Sequence, residues 1–175
     1  MSEKIVRLGE FEVNLEELSK FLVNAKKRNY ASKEKKIREV DGSKTFIFQD
    51  GNFYYTDNYA GSLQAQGNEI VRCQRKDGQR IWSMNRFGGL LSKYWKNGFS
   101  EEIYPFLKES LVGVTSKRPF RGSEMYEDKK LGLKYISLVE GDITRFEGKE
   151  KIICKRTGYI VFSQNFMGGL VIPRN

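Results

Sequence analysis

The chain has 175 residues, 39% of them hydrophobic, with 31 Lys and Arg against 22 Asp and Glu and a formal charge of +9. That length suits one domain, residues 1–175, able to bury about 70% of its extended-chain surface. Histidine is absent, which removes the usual base near neutral pH, the Ser-His-Asp and Cys-His arrangements and most zinc and iron ligand sets, so no metal or cofactor is expected.

No run approaches the roughly 18 apolar residues of a membrane span, and residues 1–10 lack the apolar stretch of a secretory signal. A cytoplasmic protein without a membrane partner is expected. Asn14-Leu-Glu-Glu17 reads as a capping box, and Leu15, Leu18, Leu22 and Ala25 recur at helical spacing, which predicts a first helix over 15–28. Lys26, Lys27 and Arg28, then Lys33, Lys35, Lys36 and Arg38, form a basic patch at and after its end. Such a patch is usually solvated surface; its alternative use is to hold nucleic acid or another polyanion.

From residue 44 the period changes to two. A hairpin is predicted over 45–49 and 52–59, with Tyr55, Asp57 and Tyr59 on one face, and another over 69–74 and 79–87. Gly88-Gly89 is expected to end the latter through a bulge or tight turn. Ser100 should cap a second helix over 101–113, with Ile103, Phe106, Leu107 and Leu111 on its apolar side. An irregular crossover follows, then strands near 132–139, 143–146, 149–156 and 159–167.

These strands echo the earlier ones. Arg80-Ile-Trp-Ser-Met-Asn-Arg-Phe-Gly-Gly-Leu90 returns as Ile160-Val-Phe-Ser-Gln-Asn-Phe-Met-Gly-Gly-Leu170. Upstream, Tyr55, Gly67, Glu69 and Cys73 match Tyr135, Gly148, Glu150 and Cys154. The expected fold is therefore α+β, with two internally repeated, mostly antiparallel curved β units, 44–90 and 132–171. They would form a sheet pair or partly open barrel beside two flanking helices. Cys73 and Cys154 read as two buried thiols rather than a disulfide framework.

Glu69 and Glu150 begin equivalent strands in phase with small apolar residues, so both point toward the core. A core-facing carboxylate needs a partner, for which Arg80, Arg86 and Arg121 are available. They are the weak catalytic candidates of a histidine-free enzyme working through a carboxylate pair. Repetition in both halves favours a structural role instead. The first copy is richer in distinctive groups, which places a ligand site at Tyr55, Asp57, Tyr59, Glu69, Trp82, Asn85 and Arg86. Binding or sensing of a small organic molecule is the leading reading. A nucleic-acid-associated basic protein, stacking bases on Tyr54 or Trp82, is an alternative. A protein-interaction or structural module is another.

Phe21 to Ala31, Gly51 to Gly61, Gly67 to Val71, Ile81 to Asn85, Arg118-Pro-Phe-Arg-Gly122 and Gly168 to Val171 together resemble the DUF5680-type domain family of uncharacterised bacterial and archaeal proteins. The resemblance spans most of residues 15–172. Some members of that family stand alone, while others carry the domain behind a helix-turn-helix module, which implies sensing or interaction as readily as catalysis. The resemblance carries over no catalytic residues, and without such a module before residue 15 it does not imply sequence-specific DNA binding. Ala60-Gly61, Ala65 and Arg86-Phe87 stand where aromatic residues are usual, which implies an altered pocket floor.

Overall fold

The computed structural model describes residues 4–31, 36–96 and 98–174. The fold is α+β. A small hairpin, β1 (Ile5–Leu8) and β2 (Phe11–Asn14), leads into α1 (Leu15–Ala31). The Asn14 Oδ1 atom accepts from the Glu16 and Glu17 N–H groups at 2.9 and 3.3 Å, so the expected cap forms. The helix runs three residues past the predicted end because Asn29 is also held on the sheet side.

Next come β3 (Ile37–Arg38), β4 (Lys44–Asp50), β5 (Phe53–Gly61), β6 (Gln64–Cys73) and β7 (Arg80–Leu90), then a 3-10 turn and α2 (Ser100–Val112). Phe99, not Ser100, occupies the cap position of α2, without a side-chain cap bond. Pro105 is the sixth residue of α2, past the first turn, so its missing N–H leaves the Glu101 carbonyl without the usual helix donor. The chain closes with β8 (Met125–Asp128), β9 (Leu133–Asp142), β10 (Arg145–Cys154) and β11 (Ile160–Leu170). The two short strands predicted at 143–146 and 149–156 are one strand, because pairing with β9 and β11 runs unbroken through Glu147 and Gly148.

All strands from β3 to β11 belong to one antiparallel sheet in the order β3-β4-β5-β6-β7-β11-β10-β9-β8. This corrects the expected sheet pair or barrel. The two halves join edge to edge through β7 and β11, so their apolar faces do not stack on each other; β3 and β8 remain as distant edges. The helices cover one face instead. α1 packs against β4 and β5, α2 against β8 and β9, and the helices meet each other. Leu18, Leu22, Tyr55, Val71 and Trp82 belong to the core under α1, and Ile103, Phe106, Tyr135, Ile152 and Phe162 to that under α2. Cys73 and Cys154 are buried free thiols.

The registers of the two halves correspond. Arg86 faces Phe166 at the middle of the β7–β11 seam. Gly88 and Gly89 face Gln164 and Ser163, while Gly168 and Gly169 face Met84 and Ser83. A bulge follows Val71 in the β6–β7 pairing and Ile152 in the β10–β11 pairing. The double glycines lie inside strands, not at the expected turns. A Cβ on Gly88 would stand 2.3 Å from the Ser163 carbonyl oxygen, and one on Gly168 2.2 Å from that of Ser83. Only glycine lets the backbones approach this closely.

Candidate functional site

The period of two sends Asp57, Glu69, Arg86, Glu150 and Gln164 to the helix-covered face, where the two cores meet. Gly67 is what allows Arg86 to work there. A Cβ at Gly67 would lie 2.5 Å from the Arg86 Cζ atom, so the guanidinium crosses β6 over a position without a side chain. It reaches Asp57 on β5 at 2.7 Å and Glu69 at 3.2 Å. The matched Gly148 instead leaves room for the ring of Phe166. The same backbone solution supports a charged group in one half and an apolar one in the other.

Lys26 of α1 donates to the other oxygen of Glu69, and both side chains are fully buried. Asn29 donates to Asp57 at 2.7 Å. The Tyr30 hydroxyl donates to Glu69 at 3.4 Å and accepts from Arg121 at 2.6 Å. Arg121 ion-pairs with Glu150 at 2.9 Å, and Tyr135 and Gln164 donate to the same carboxylate at 2.6 and 2.7 Å. Three cations therefore meet three carboxylates inside the protein, each charge hydrogen-bonded, which is the condition under which buried ions are tolerated.

Burial pushes the Lys26 amine down, an effect its contact with Glu69 opposes in part. Burial pushes the Tyr30 and Tyr135 phenols up, so both stay protonated as donors. For Asp57, burial acts upward, but Arg86, with Lys26 and Arg121, holds the carboxyl below its usual range. A carboxylate lowered on folding contributes stability above its unfolded pKa, near 4, and loses it as pH falls through the folded value. Denaturant midpoints should consequently show no Asp57 contribution to pH dependence between about pH 5 and 7, and a loss below about pH 4 that is smaller in Asp57→Asn.

Above this network lies a cavity of about 280 Å³ between the sheet, α1 and α2. Asp57, Arg86, Arg121 and Gln164 contribute to its polar floor, and Gly88 and Gly89 to its sheet wall. Leu107, Leu111 and Phe162 form an apolar side; Lys36, Lys44 and Lys108 add three amines. Tyr30, Tyr59 and Tyr104 complete much of the remaining wall.

Of the seven residues expected to bind ligand, Asp57, Tyr59 and Arg86 line this cavity. Glu69 is fully buried and bonded to Arg86. Tyr55 and Trp82 are packed in the core, with Trp82 stacked on Phe146 at 5.8 Å. Asn85 lies on the opposite, open face and hydrogen-bonds Asn68 at 2.6 Å. The catalytic candidates Glu69 and Glu150 are both 0% exposed, each held by an arginine. A carboxylate-pair hydrolase needs its two carboxyl groups to flank substrate in an open cleft; this geometry provides none at these residues.

The basic patch is dispersed. Lys26 is in the core and Lys36 reaches the cavity, where it donates to the Tyr59 hydroxyl at 3.3 Å. Lys27, Arg28 and Arg38 are exposed, and Arg28 sits over the Phe48 ring. Lys33 and Lys35 fall outside the described residues. Tyr54 and Trp82 are 7% and 0% exposed, which denies them to stacking nucleobases.

Domain of unknown function (DUF5680) matches residues 57–171. The chain belongs to that family. The matched stretch is narrower than the resemblance over 15–172: it contains Asp57, Glu69, Arg86, Arg121, Glu150 and Gln164, and begins after α1 with Lys26, Asn29 and Tyr30. Neither a curated protein nor a solved structure matches the chain. Ala65 and Arg86 both line the cavity. No described helix is long and apolar enough to cross a membrane. Among the described residues, no group of three or more His, Cys, Asp or Glu comes together as a metal site would need.

Proposed function

We propose that this domain binds a small organic molecule in the cavity between α1, α2 and the sheet. The observation that carries the reading is the cavity's floor, where Asp57, Arg86 and Arg121 stay charged beside the apolar side formed by Leu107, Leu111 and Phe162. Buried polar groups beside apolar lining are the usual composition of a ligand site, and about 280 Å³ is near the lower end of the range such sites occupy. A sensor that responds to its ligand is compatible with the cavity's position, because α1 and α2 both wall it and ligand contacts would bridge them.

Residues 44–90 and 132–171 are, on this reading, two copies of one half-sheet within a single domain. Matched registers, matched bulges and reciprocal double glycines support the duplication. It explains why the polar floor lies off-centre: Arg86 occupies the first copy where Phe166 fills the second.

Native mass spectrometry of gently purified protein tests the binding role. The unaltered chain should retain a small non-covalent mass that Ala65→Trp, which fills the cavity, loses while melting normally. Equal spectra for both proteins would oppose the assignment.

A further inference from the structure

We infer that the ligand is an organic anion, its carboxylate or phosphate head at Lys36 and Lys44 and its apolar body against Leu107, Leu111 and Phe162. This rests on the cavity being a ligand site. Charge is the first argument. In and directly beneath the cavity, six cations (Lys26, Lys36, Lys44, Arg86, Lys108 and Arg121) face three carboxylates, those of Asp57, Glu69 and Glu150. Lys26, Arg86 and Arg121 are consumed by the carboxylates. Lys36, Lys44 and Lys108 form no salt bridge among the described residues, so the surplus is positive; Lys36 is partly buried, and Lys44 and Lys108 are exposed where they line the cavity. In a partly enclosed space with apolar walls, such a surplus favours an anion more strongly than it would on open surface.

The second argument is the division of the lining. Lys44 directly faces Tyr59 in the β4–β5 register, and Lys36 also reaches that tyrosine, so two amines come from the same edge of the sheet. Leu107 and Leu111 follow each other by one turn on α2, beside Phe162 of β11. A polar head and an apolar body thus have separate walls. Burial lowers the Lys36 amine, which an anionic group beside it would reverse.

Isothermal titration with four naphthalene probes tests the class: 1-naphthyl phosphate, 1-naphthoate, 1-naphthalenemethanol and 1-naphthylmethylamine. At low salt one of the two anions should bind at least about tenfold more tightly than the alcohol, the amine should bind weakest, and the tighter anion identifies the head group. The double variant Lys44→Glu/Lys108→Glu, checked for an unchanged fold, should weaken that anion by at least about tenfold. Ala65→Trp should abolish it. Alcohol or amine binding as tight as the anions, lost in Ala65→Trp, would overturn the anion assignment and leave the cavity reading standing. Anion binding unaffected by Ala65→Trp would place the interaction elsewhere and overturn the inference. Failure of all four probes to bind would count against both.

Discussion

Arg121→Ala is expected to destabilise the fold by about 3–5 kcal/mol, because it leaves the fully buried Glu150 without its cation. For a chain of this size, that corresponds to a melting temperature lower by roughly 6–20 °C. The same substitution removes the donor to Tyr30, the bond through which α1 is tied to the crossover before β8. Arg121→Ala combined with Glu150→Gln should recover part of the loss, since the second change removes the unpaired charge while an amide retains hydrogen-bonding capacity with Tyr135 and Gln164. Thermal or urea melts of the two variants measure this. If the double variant were no more stable than the single one, the unpaired charge would not be the source of the loss.

Gly88→Ala should cost about 2–5 kcal/mol. Gly88 has φ of 145°, where side chains are disfavoured, and the added Cβ would stand 2.3 Å from the Ser163 carbonyl oxygen and 2.6 Å from the Gln164 Cα atom. Those atoms belong to the central seam, so relief requires the two halves of the sheet to move apart. Gly158→Ala is the control. It also has positive φ, 71°, but nothing lies within 4 Å of its would-be Cβ, which leaves only the conformational cost of about 1–2 kcal/mol. Denaturant melts should separate the two by at least about 1 kcal/mol. Equal losses would mean that close approach across the seam contributes nothing.

Local pattern made much of this architecture readable. Asn14 with helical spacing from Leu15 to Ala25 located α1, and alternation with Gly51 located the β4–β5 hairpin. The repeated Asn-x-x-Gly-Gly stretches placed matched strands in β7 and β11, but could not say whether the halves would stack or join at an edge. That depends on how closely two backbones approach at Gly88 and Gly168, which is a property of pairing rather than of either strand.

The site was less visible for a related reason. Lys26 sits in a Lys-Lys-Arg run that resembles surface, yet it follows Leu22 by one helical turn and lies on the buried stripe. Its spacing carried the signal that its charge obscured. Arg121 lies between α2 and β8, where no periodicity announces direction; only the need of Glu150 for a partner pointed to it. Tyr55 and Trp82 had the composition of a ligand site, but their faces turn into the core.

Backbone amide correlation spectra, recorded while a library of small organic fragments is titrated into the protein, test the central claim most directly. If the cavity is the binding site, fragments should shift amides at Tyr59, Ala65, Gly88, Gly89, Leu107 and Leu111, with the anionic fragments producing the largest changes. Shifts gathered instead around Phe87 and Met167 on the open sheet face, or none from any fragment, would contradict it.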